Sequence, residues 1–351
     1  MASATLSDPL LYAVLLSTLA VVALSVLMLV AIVLLRLRLV WGQRRMRAVL
    51  DRWRPLLAMA AAGDLTQSPP ITKAEGVLLL PHWNHLRESV RGASEATLDA
   101  FARSIGLDRI AQAQMASGRA RARLLAINTL GHIGTGEAAA QLERFCGEKD
   151  PVVSLAAARA LLRGDSTSAL PRLMPLMLER SDWPVARLLP MLRAADTARL
   201  ELVLAGALAH ARGTELERLL LIAAALPPER SARWARTALE KSESHAQIAA
   251  ALRLVGDPRD APLVRPLLQH PAWQVRVRAI TTLERVAGPE DLPRLVGALA
   301  DPEWWVRMRA ARTIARLPFF GNADFARLRA SVSDRYARDA LSQAMAEERG
   351  A

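Results

Sequence analysis

The chain has 351 residues, of which 52% are hydrophobic, and a formal net charge of +12. Its single cysteine excludes an intrachain disulfide framework and agrees with a reducing compartment. About half of the positive excess lies in residues 36–54, which carry +6, whereas +7 is spread over the 297 residues that follow them. A charge that is so dilute argues against nucleic-acid binding as the main function.

The first feature along the chain is an apolar run without any charged residue, from Pro9 to Leu35. As a helix it is long enough to cross a hydrocarbon core of about 30 Å. A cleaved signal peptide would carry a basic segment before a shorter apolar core, and no Lys or Arg precedes Arg36. The run therefore predicts a retained transmembrane helix over 10–35, after a short extracytoplasmic segment, 1–9. A buried core helix is the remaining alternative.

A basic segment follows the apolar run and is predicted to continue as a juxtamembrane helix over 36–62. The positive-inside rule places this side of the membrane in the cytoplasm, so the N-terminus is expected outside. Each basic residue near anionic lipid is worth about 1 kcal/mol, and tryptophan suits the headgroup layer. The residues predicted to contact the lipid surface are Arg36, Arg38, Trp41, Arg44, Arg45, Arg47, Arg52, Trp53 and Arg54.

Only three of the 46 basic residues are lysine, and Ala and Leu are abundant. This composition is typical of a GC-rich bacterial genome, so the membrane is predicted to be a bacterial inner membrane.

Residues 63–76 contain two consecutive prolines and are predicted to form a linker, because no helix runs through such a pair. Residues 77–120 are predicted to be a helical cap, since terminal units of repeat proteins are atypical.

Two stretches near the C-terminus are closely alike: QHPAWQVRVRAITTLERVA (269–287) and ADPEWWVRMRAARTIARL (300–317). Identical residues recur 31 positions apart, as in Val275 and Val306 or Arg278 and Arg309. Steps of 30 or 31 from Val275 give further register positions: Ala122, Val153, Pro184, Thr214, Ser244 and Ala337. Apolar residues follow each position at plus four and plus eight, except at Thr214, where Arg218 intervenes. Such a period predicts stacked helix pairs, an α-solenoid.

The pattern Asp301-Pro302, Val306-Arg307, Ala310 resembles a HEAT repeat of the short class that is also found in phycobilin lyases. The resemblance covers about residues 107–348 and implies an all-α protein, with a HEAT-like α-solenoid after the transmembrane helix. In that family the turn Asp and the Arg after the Val often form a ladder along the stack. Four units keep this Arg and four do not: Arg123, Arg276, Arg307 and Arg338, against Ser154, Val185, Glu215 and His245. A ladder is therefore expected to be interrupted.

No pattern in the chain predicts a catalytic, cofactor or metal site. His82 and His85 could share a helix face, but a zinc site normally needs three or four ligands. The glycine-rich GHIGTG (131–136) has neither dinucleotide-binding nor P-loop spacing, and it falls where a repeat helix is expected to end. We therefore expect a protein that is not an enzyme and that holds no cofactor.

The candidate binding residues are aromatic and arginine side chains that keep register across the last repeats. Trp183 lies within one residue of the register position that Trp273 and Trp304 share. Two interpretations remain open: the rings pack on the turn of the next repeat, or they form a surface for a partner, since Trp, Tyr and Arg are enriched at binding hot spots. The predicted partner-binding residues are Trp273, Trp304, Trp305, Tyr336, Arg276, Arg307 and Arg338.

Together these features predict a membrane-tethered, non-catalytic scaffold that binds a protein partner on the cytoplasmic side. The layout resembles bacterial membrane-anchored HEAT-repeat proteins that accompany glycosyltransferases in envelope polysaccharide loci. That resemblance implies a membrane glycosyltransferase as one partner. The alternatives are a bilin-lyase-like or other HEAT-repeat enzyme and a nucleic-acid-binding HEAT protein, and the membrane anchor argues against both.

Overall fold

The structure is a computed structural model that describes residues 9–64, 68–116, 119–134, 136–242 and 244–350. The predicted N-terminal segment, apart from Pro9, and three residues of the predicted linker lie outside the described residues. Every regular element in these ranges is a helix, so the chain is all-α as predicted. The chain divides into two compact units, Met1–Ala138 (unit 1) and Ala139–Ala351 (unit 2).

Five helices lie wholly within unit 1: α1 (Pro9–Ala62), α2 (Lys73–Ser89), α3 (Ala93–Ser104), α4 (Leu107–Ala116) and α5 (Ala120–Ile133). A sixth, α6 (Gly136–Cys146), begins in unit 1 and ends in unit 2. Gly134 ends α5 in the left-handed region, with φ 62°, and donates its N–H to the carbonyl of Leu130. This is the helix stop that the glycine-rich stretch predicts.

Helix α1 has 54 residues and is about 80 Å long at 1.5 Å per residue. Residues 12–45 of α1 are exposed, and the helix is long and apolar enough to cross a membrane. A signal sequence near the N-terminus meets the same criterion. The C-terminal part of α1 instead packs on α2 and α3.

The core of unit 1 forms around two fully buried tryptophans. Trp53 of α1 lies 6.4 Å from Phe101 between ring centroids, and Trp83 of α2 meets His132 edge-on at 5.9 Å. A buried ion pair joins α2 to α3, in which Arg87 donates to both carboxylate oxygens of Asp99, at 2.8 and 3.1 Å. Burial opposes the charge of Arg87, but its hydrogen bonds with Asp99 and with a neighbouring glutamate outweigh that cost and raise its pKa.

Unit 2 is built from helix pairs. Its helices after α6 are α7 (Pro151–Gly164), α8 (Ser166–Glu179), α9 (Val185–Arg193), α10 (Thr197–His210), α11 (Gly213–Ala223), α12 (Pro228–Lys241), α13 (His245–Ala251), α14 (Ala261–Val264), α15 (Trp273–Val286), α16 (Leu292–Gly297), α17 (Trp304–Arg316), α18 (Asn322–Ser331) and α19 (Arg335–Gly350). Each odd-numbered helix from α7 to α19 packs on the next odd-numbered one, and the even-numbered helices pack against this row. This is the two-layer stacking of a solenoid.

Proline shapes the short leading helices of the later repeats. Pro262 and Pro293 lie in the first turns of α14 and α16, where a missing N–H removes no intrahelical bond. Both helices continue as 3₁₀ turns, Arg265–Gln269 and Ala298–Ala300.

The register positions from the sequence lie on the odd-numbered helices or, for Pro184 and Ser244, at the residue that precedes them, with the apolar residues after them in the core. Val153, Val275, Val306 and Ala337 are all buried. The exception is α11, where Arg218 occupies the expected apolar position at plus four, although Ile222 at plus eight is buried, as are Leu219, Leu220 and Ala223.

Arg218 is part-buried and serves as a capping residue. It donates to the backbone carbonyls of Met177, Arg180 (2.8 Å) and Trp183 (2.7 Å), at and just beyond the end of α8. Carbonyls in the last turn of a helix have no intrahelical partner, so a side-chain donor satisfies them. Burial lowers the pKa of Arg218, and the charge of Asp182 partly offsets this effect.

Candidate functional site

Arg276 and Asp301 form a rung of the expected arginine ladder, between α15 and the turn before α17. Arg276 donates to both oxygens of Asp301, at 2.7 and 2.8 Å, and to the carbonyls of His270 (2.9 Å) and Pro271 (3.0 Å). The two charged side chains are only 11% and 10% exposed. Although Arg276 was predicted to bind a partner, its guanidinium is committed to internal contacts. The bonds to Asp301 raise its pKa, against an opposing effect of burial.

The ladder ends at Arg307, one repeat later. Arg307 makes the same pair of backbone contacts as Arg276, to the carbonyls of Asp301 (2.7 Å) and Pro302 (2.9 Å). The position 25 residues further on, where Arg276 finds its aspartate, is Val332. The Nε–H of Arg307 therefore has no acceptor among the described residues, and its guanidinium lies over the ring of Tyr336, 5.4 Å from the centroid.

Three of the four predicted aromatic residues form an exposed group, which we call the aromatic edge: Trp304, Trp305 and Tyr336. Their side chains are 45%, 57% and 65% exposed, and the two indoles meet edge-on with centroids 4.6 Å apart. Trp273, at the start of α15, is half-buried. Arg338 is exposed on α19.

Trp183 does not belong to the aromatic edge, although its sequence position is close to the register. Its side chain is fully buried, and its indole N–H donates to the Ser154 hydroxyl at 3.0 Å. The guanidinium of Arg180 lies over the ring at 5.1 Å. Trp183 and Trp305 both come one residue before a register position, Pro184 and Val306, so the register alone does not separate a core tryptophan from a surface tryptophan.

Sequence reasoning missed a group of arginines on the same exposed stripe as Trp305. Residues at i, i+4, i+7 and i+11 share one side of a helix. On α17 this stripe consists of Trp305, Arg309, Arg312 and Arg316, and on α15 the equivalent positions hold Gln274, Arg278, Thr281 and Arg285. The signal was visible in the sequence, because Arg278 and Arg309 are 31 apart, but periodicity alone does not say which of them are paired.

The pairing of these arginines differs from one to the next. Arg312 is held by both oxygens of Glu347, at 2.7 and 2.8 Å, and Arg285 donates to the carbonyls of Leu252 and Val255. Arg278 and Arg309 have no acceptor among the described residues. Burial, followed by the positive charges of Arg253, Arg309 and Arg285, lowers the pKa of Arg278. Uncompensated positive charge is therefore concentrated on this stripe.

The predicted lipid-contacting arginines are exposed on α1, as is Trp41. Trp53 differs from the prediction, because its side chain is fully buried in unit 1. The reason is helical spacing: Val49, Trp53 and Leu57 are four residues apart and share the face of α1 that packs on α2 and α3. Arg52, beside it, forms a salt bridge with Glu75 at 3.0 Å.

The other residues that could take part in catalysis or metal binding lie apart from one another. His82 is half-buried on α2; burial lowers its pKa, as do the charges of Arg54 and His85. Cys146 is buried, and burial raises the pKa of its thiol to about 12. Within the described ranges, no group of three or more His, Cys, Asp or Glu side chains is placed to hold a metal ion.

Comparison with known proteins identifies the repeats. The family model described as HEAT repeats matches residues 107–193 and 261–346, and the unmatched interval contains α11, where Arg218 occupies a position that is apolar in the other repeats. No curated protein matches the chain.

Solved structures are similar to this chain at low sequence identity. Kap121p superposes with a TM-score of 0.50 at 12% identity over 83% of this chain and 37% of its own, so the chain spans little more than a third of its length. The structure of Kap121p bound to Nup53p gives a TM-score of 0.48 with the same identity and coverage. An engineered protein gives 0.35 at 14% identity, over 86% of this chain and 90% of its own. Through residues 107–193 and 261–346 the chain belongs to the HEAT-repeat family.

Proposed function

We propose that the chain is a non-catalytic scaffold, tethered to a bacterial inner membrane by α1, that binds a protein partner on the cytoplasmic side through the aromatic edge. The observation that carries this proposal is the exposure of the edge-on pair Trp304 and Trp305, together with Tyr336, which is exposed on the next repeat against the guanidinium of Arg307. HEAT-repeat solenoids are scaffolds for protein interaction, which agrees with such a surface.

The aromatic edge has the composition of a binding hot spot. Large rings gain about 25 cal/mol per Å² of apolar surface removed from water, and Trp, Tyr and Arg dominate the energetics of interfaces. The Nε–H of Arg307 adds an unpaired donor beside the rings. A partner that covers the edge would bury three aromatic side chains and satisfy this donor.

The tether is supported by the exposed apolar length of α1 and by the arginines that follow it. The same helix continues into the core of unit 1, so the span and the folded unit share one rigid element. Partners in the same membrane are therefore the natural candidates. A membrane glycosyltransferase is the first to test, because the layout resembles anchored HEAT-repeat proteins that accompany such enzymes.

The scaffold proposal predicts that Trp305→Ala abolishes capture of the partner by the full chain. The matched control is Leu202→Ala on α10, which also truncates an exposed apolar side chain of unit 2. The measurement is a pull-down from detergent-solubilised membranes, with bound proteins identified by mass spectrometry. Capture that survives Trp305→Ala, or that is lost equally in the control, would remove the aromatic edge as the binding surface.

The proposed orientation of α1 in the membrane predicts the activity of reporters fused after Ala351. A reporter that is active only in the cytoplasm should be active, and one that is active only in the periplasm should be silent, because arginines flank only the C-terminal side of the apolar run. The opposite pattern would place unit 2 outside the cytoplasm and would contradict the proposed side of action.

A further inference from the structure

We propose that the exposed stripes of α15 and α17 bind an acidic, extended segment of the partner, with carboxylates on Arg278 and Arg309. This inference rests on the proposed scaffold function and names the chemistry of its partner. The surface, called here the arginine face, is formed by Arg278, Arg285, Arg309, Arg312 and Arg316, with Arg253 beside it.

The first argument is charge without compensation. Arg278 and Arg309 occupy equivalent positions in adjacent repeats, both are half-buried, and neither has an acceptor among the described residues. A partly desolvated guanidinium gains most from a carboxylate, which accepts two hydrogen bonds in a planar pair. The arginine face therefore lacks acidic partners at two defined places.

The second argument comes from the arginines that are already paired. On the same face, Glu347 holds Arg312 through both oxygens, and Glu284 lies 3.5 Å from Arg316. These two glutamates belong to α19 and α15, so elements of the chain itself already place carboxylates on this surface. The unpaired arginines offer the same chemistry to a carboxylate from outside.

The spacing of the helices selects an extended segment. Packed helices lie about 8–10 Å apart, and α15 packs directly on α17. A polyproline II segment repeats every three residues with a rise of about 3.1 Å, so residues i and i+3 face the same side about 9 Å apart. An acidic residue at every third position thus matches the step from Arg278 to Arg309. Trp305, one turn before Arg309 on the same stripe, is placed to contact an apolar residue of that segment.

The interleaved acids favour a protein segment over a nucleic acid. A phosphate backbone carries closely spaced negative charge and would meet Glu284 and Glu347 as it crosses the arginine face. A peptide places its carboxylates only at chosen positions and leaves the glutamates paired. The same comparison disfavours an anionic lipid surface, which presents many charges at once.

The test uses the full chain in non-ionic detergent and a fluorescein-labelled peptide of four Glu-Pro-Ser repeats, followed by fluorescence anisotropy. The wild-type chain should bind this peptide and not the peptide in which Gln replaces Glu. The double variant Arg278→Gln, Arg309→Gln should weaken binding about tenfold or more, since two charge-assisted pairs are lost. The matched control, Arg109→Gln with Arg121→Gln, removes two exposed charges from unit 1 and should change affinity less than about twofold.

A second variant is expected to increase the affinity for the peptide, which misfolding would not do. Glu347→Gln removes the carboxylate from Arg312, so the arginine face gains a free guanidinium and should bind the peptide about threefold more tightly. Equal losses in the two double variants, or weaker binding by Glu347→Gln, would overturn the proposal. Tighter binding of a single-stranded oligonucleotide or of phosphatidylserine vesicles, with the same dependence on Arg278 and Arg309, would overturn it in favour of that ligand.

The experiments distinguish a failure of this inference from a failure of the proposed scaffold function. If Trp305→Ala abolishes capture of the partner and the Arg278 and Arg309 variants do not, the scaffold stands and the acidic segment fails. If capture survives all of these changes, the proposed function fails first.

Discussion

Replacement of Trp183 by alanine is expected to destabilise the surrounding repeats by about 3–5 kcal/mol, as for a large buried aromatic side chain. The Trp183 ring is fully buried, and its indole N–H bonds to Ser154, whose hydroxyl would also lose this partner. The same replacement at Trp305, whose side chain is 57% exposed, is expected to change stability by no more than about 0.5 kcal/mol. The two variants differ only in where the structure places one residue type.

Hydrogen exchange of the full chain, read by mass spectrometry, measures both effects in place. The stability of a solenoid is approximately a sum over units and their interfaces, so the loss at Trp183 should appear first as faster exchange in α7–α9. Exchange in α15–α19 should change less. Equal protection in the two variants would show that Trp183 is not a core residue, and faster exchange at Trp305 would show that the aromatic edge is packed.

Much of the fold was predictable because one interval repeats. A spacing of 30 or 31 placed Val153, Val275 and Val306 at equivalent positions, and burial of equivalent positions follows from stacking identical helix pairs. The period failed at Arg218, where a long side chain reaches three backbone carbonyls. A contact of that kind depends on where the end of another helix lies, which no local pattern encodes.

The candidate site was predicted less well, for a reason visible at two arginines. Arg276 and Arg307 are equivalent in sequence, yet one is held by Asp301 and the other lacks a carboxylate. The deciding residue lies 25 positions later, Asp301 in one case and Val332 in the other. Comparison of whole repeats at that spacing would have separated the structural arginine from the unpaired one.

The assignment of Trp53 to the lipid surface was wrong because it rested on the arginines around this residue and not on the face of the helix that carries it. Basic residues surround it, which is typical of a membrane boundary. Val49 and Leu57, four residues to either side, mark a buried stripe on the same helix. The spacing of the apolar residues along the helix indicates the buried face, whereas the surrounding charged residues suggest a membrane boundary.

The ion pair between Arg276 and Asp301 gives the second large effect. Asp301→Ala is expected to cost about 3–5 kcal/mol, since it leaves a guanidinium that is 11% exposed without its carboxylate. Replacement of both partners by apolar residues, Arg276→Met with Asp301→Leu, should recover most of that loss, because no uncompensated charge remains. Chemical denaturation of the full chain in detergent, followed by hydrogen exchange in α15 and α17, measures the difference.

Arg307 is the matched control for this pair, because it makes the same two backbone contacts without a carboxylate. Arg307→Met should therefore cost only about 1 kcal/mol, the net value of ordinary hydrogen bonds. If Arg307→Met were as damaging as Asp301→Ala, the backbone contacts and not the ion pair would hold the turn before α17. If the double variant were no more stable than Asp301→Ala alone, the cost would come from packing around the turn, and Arg276 would lose its assignment as a rung of the ladder.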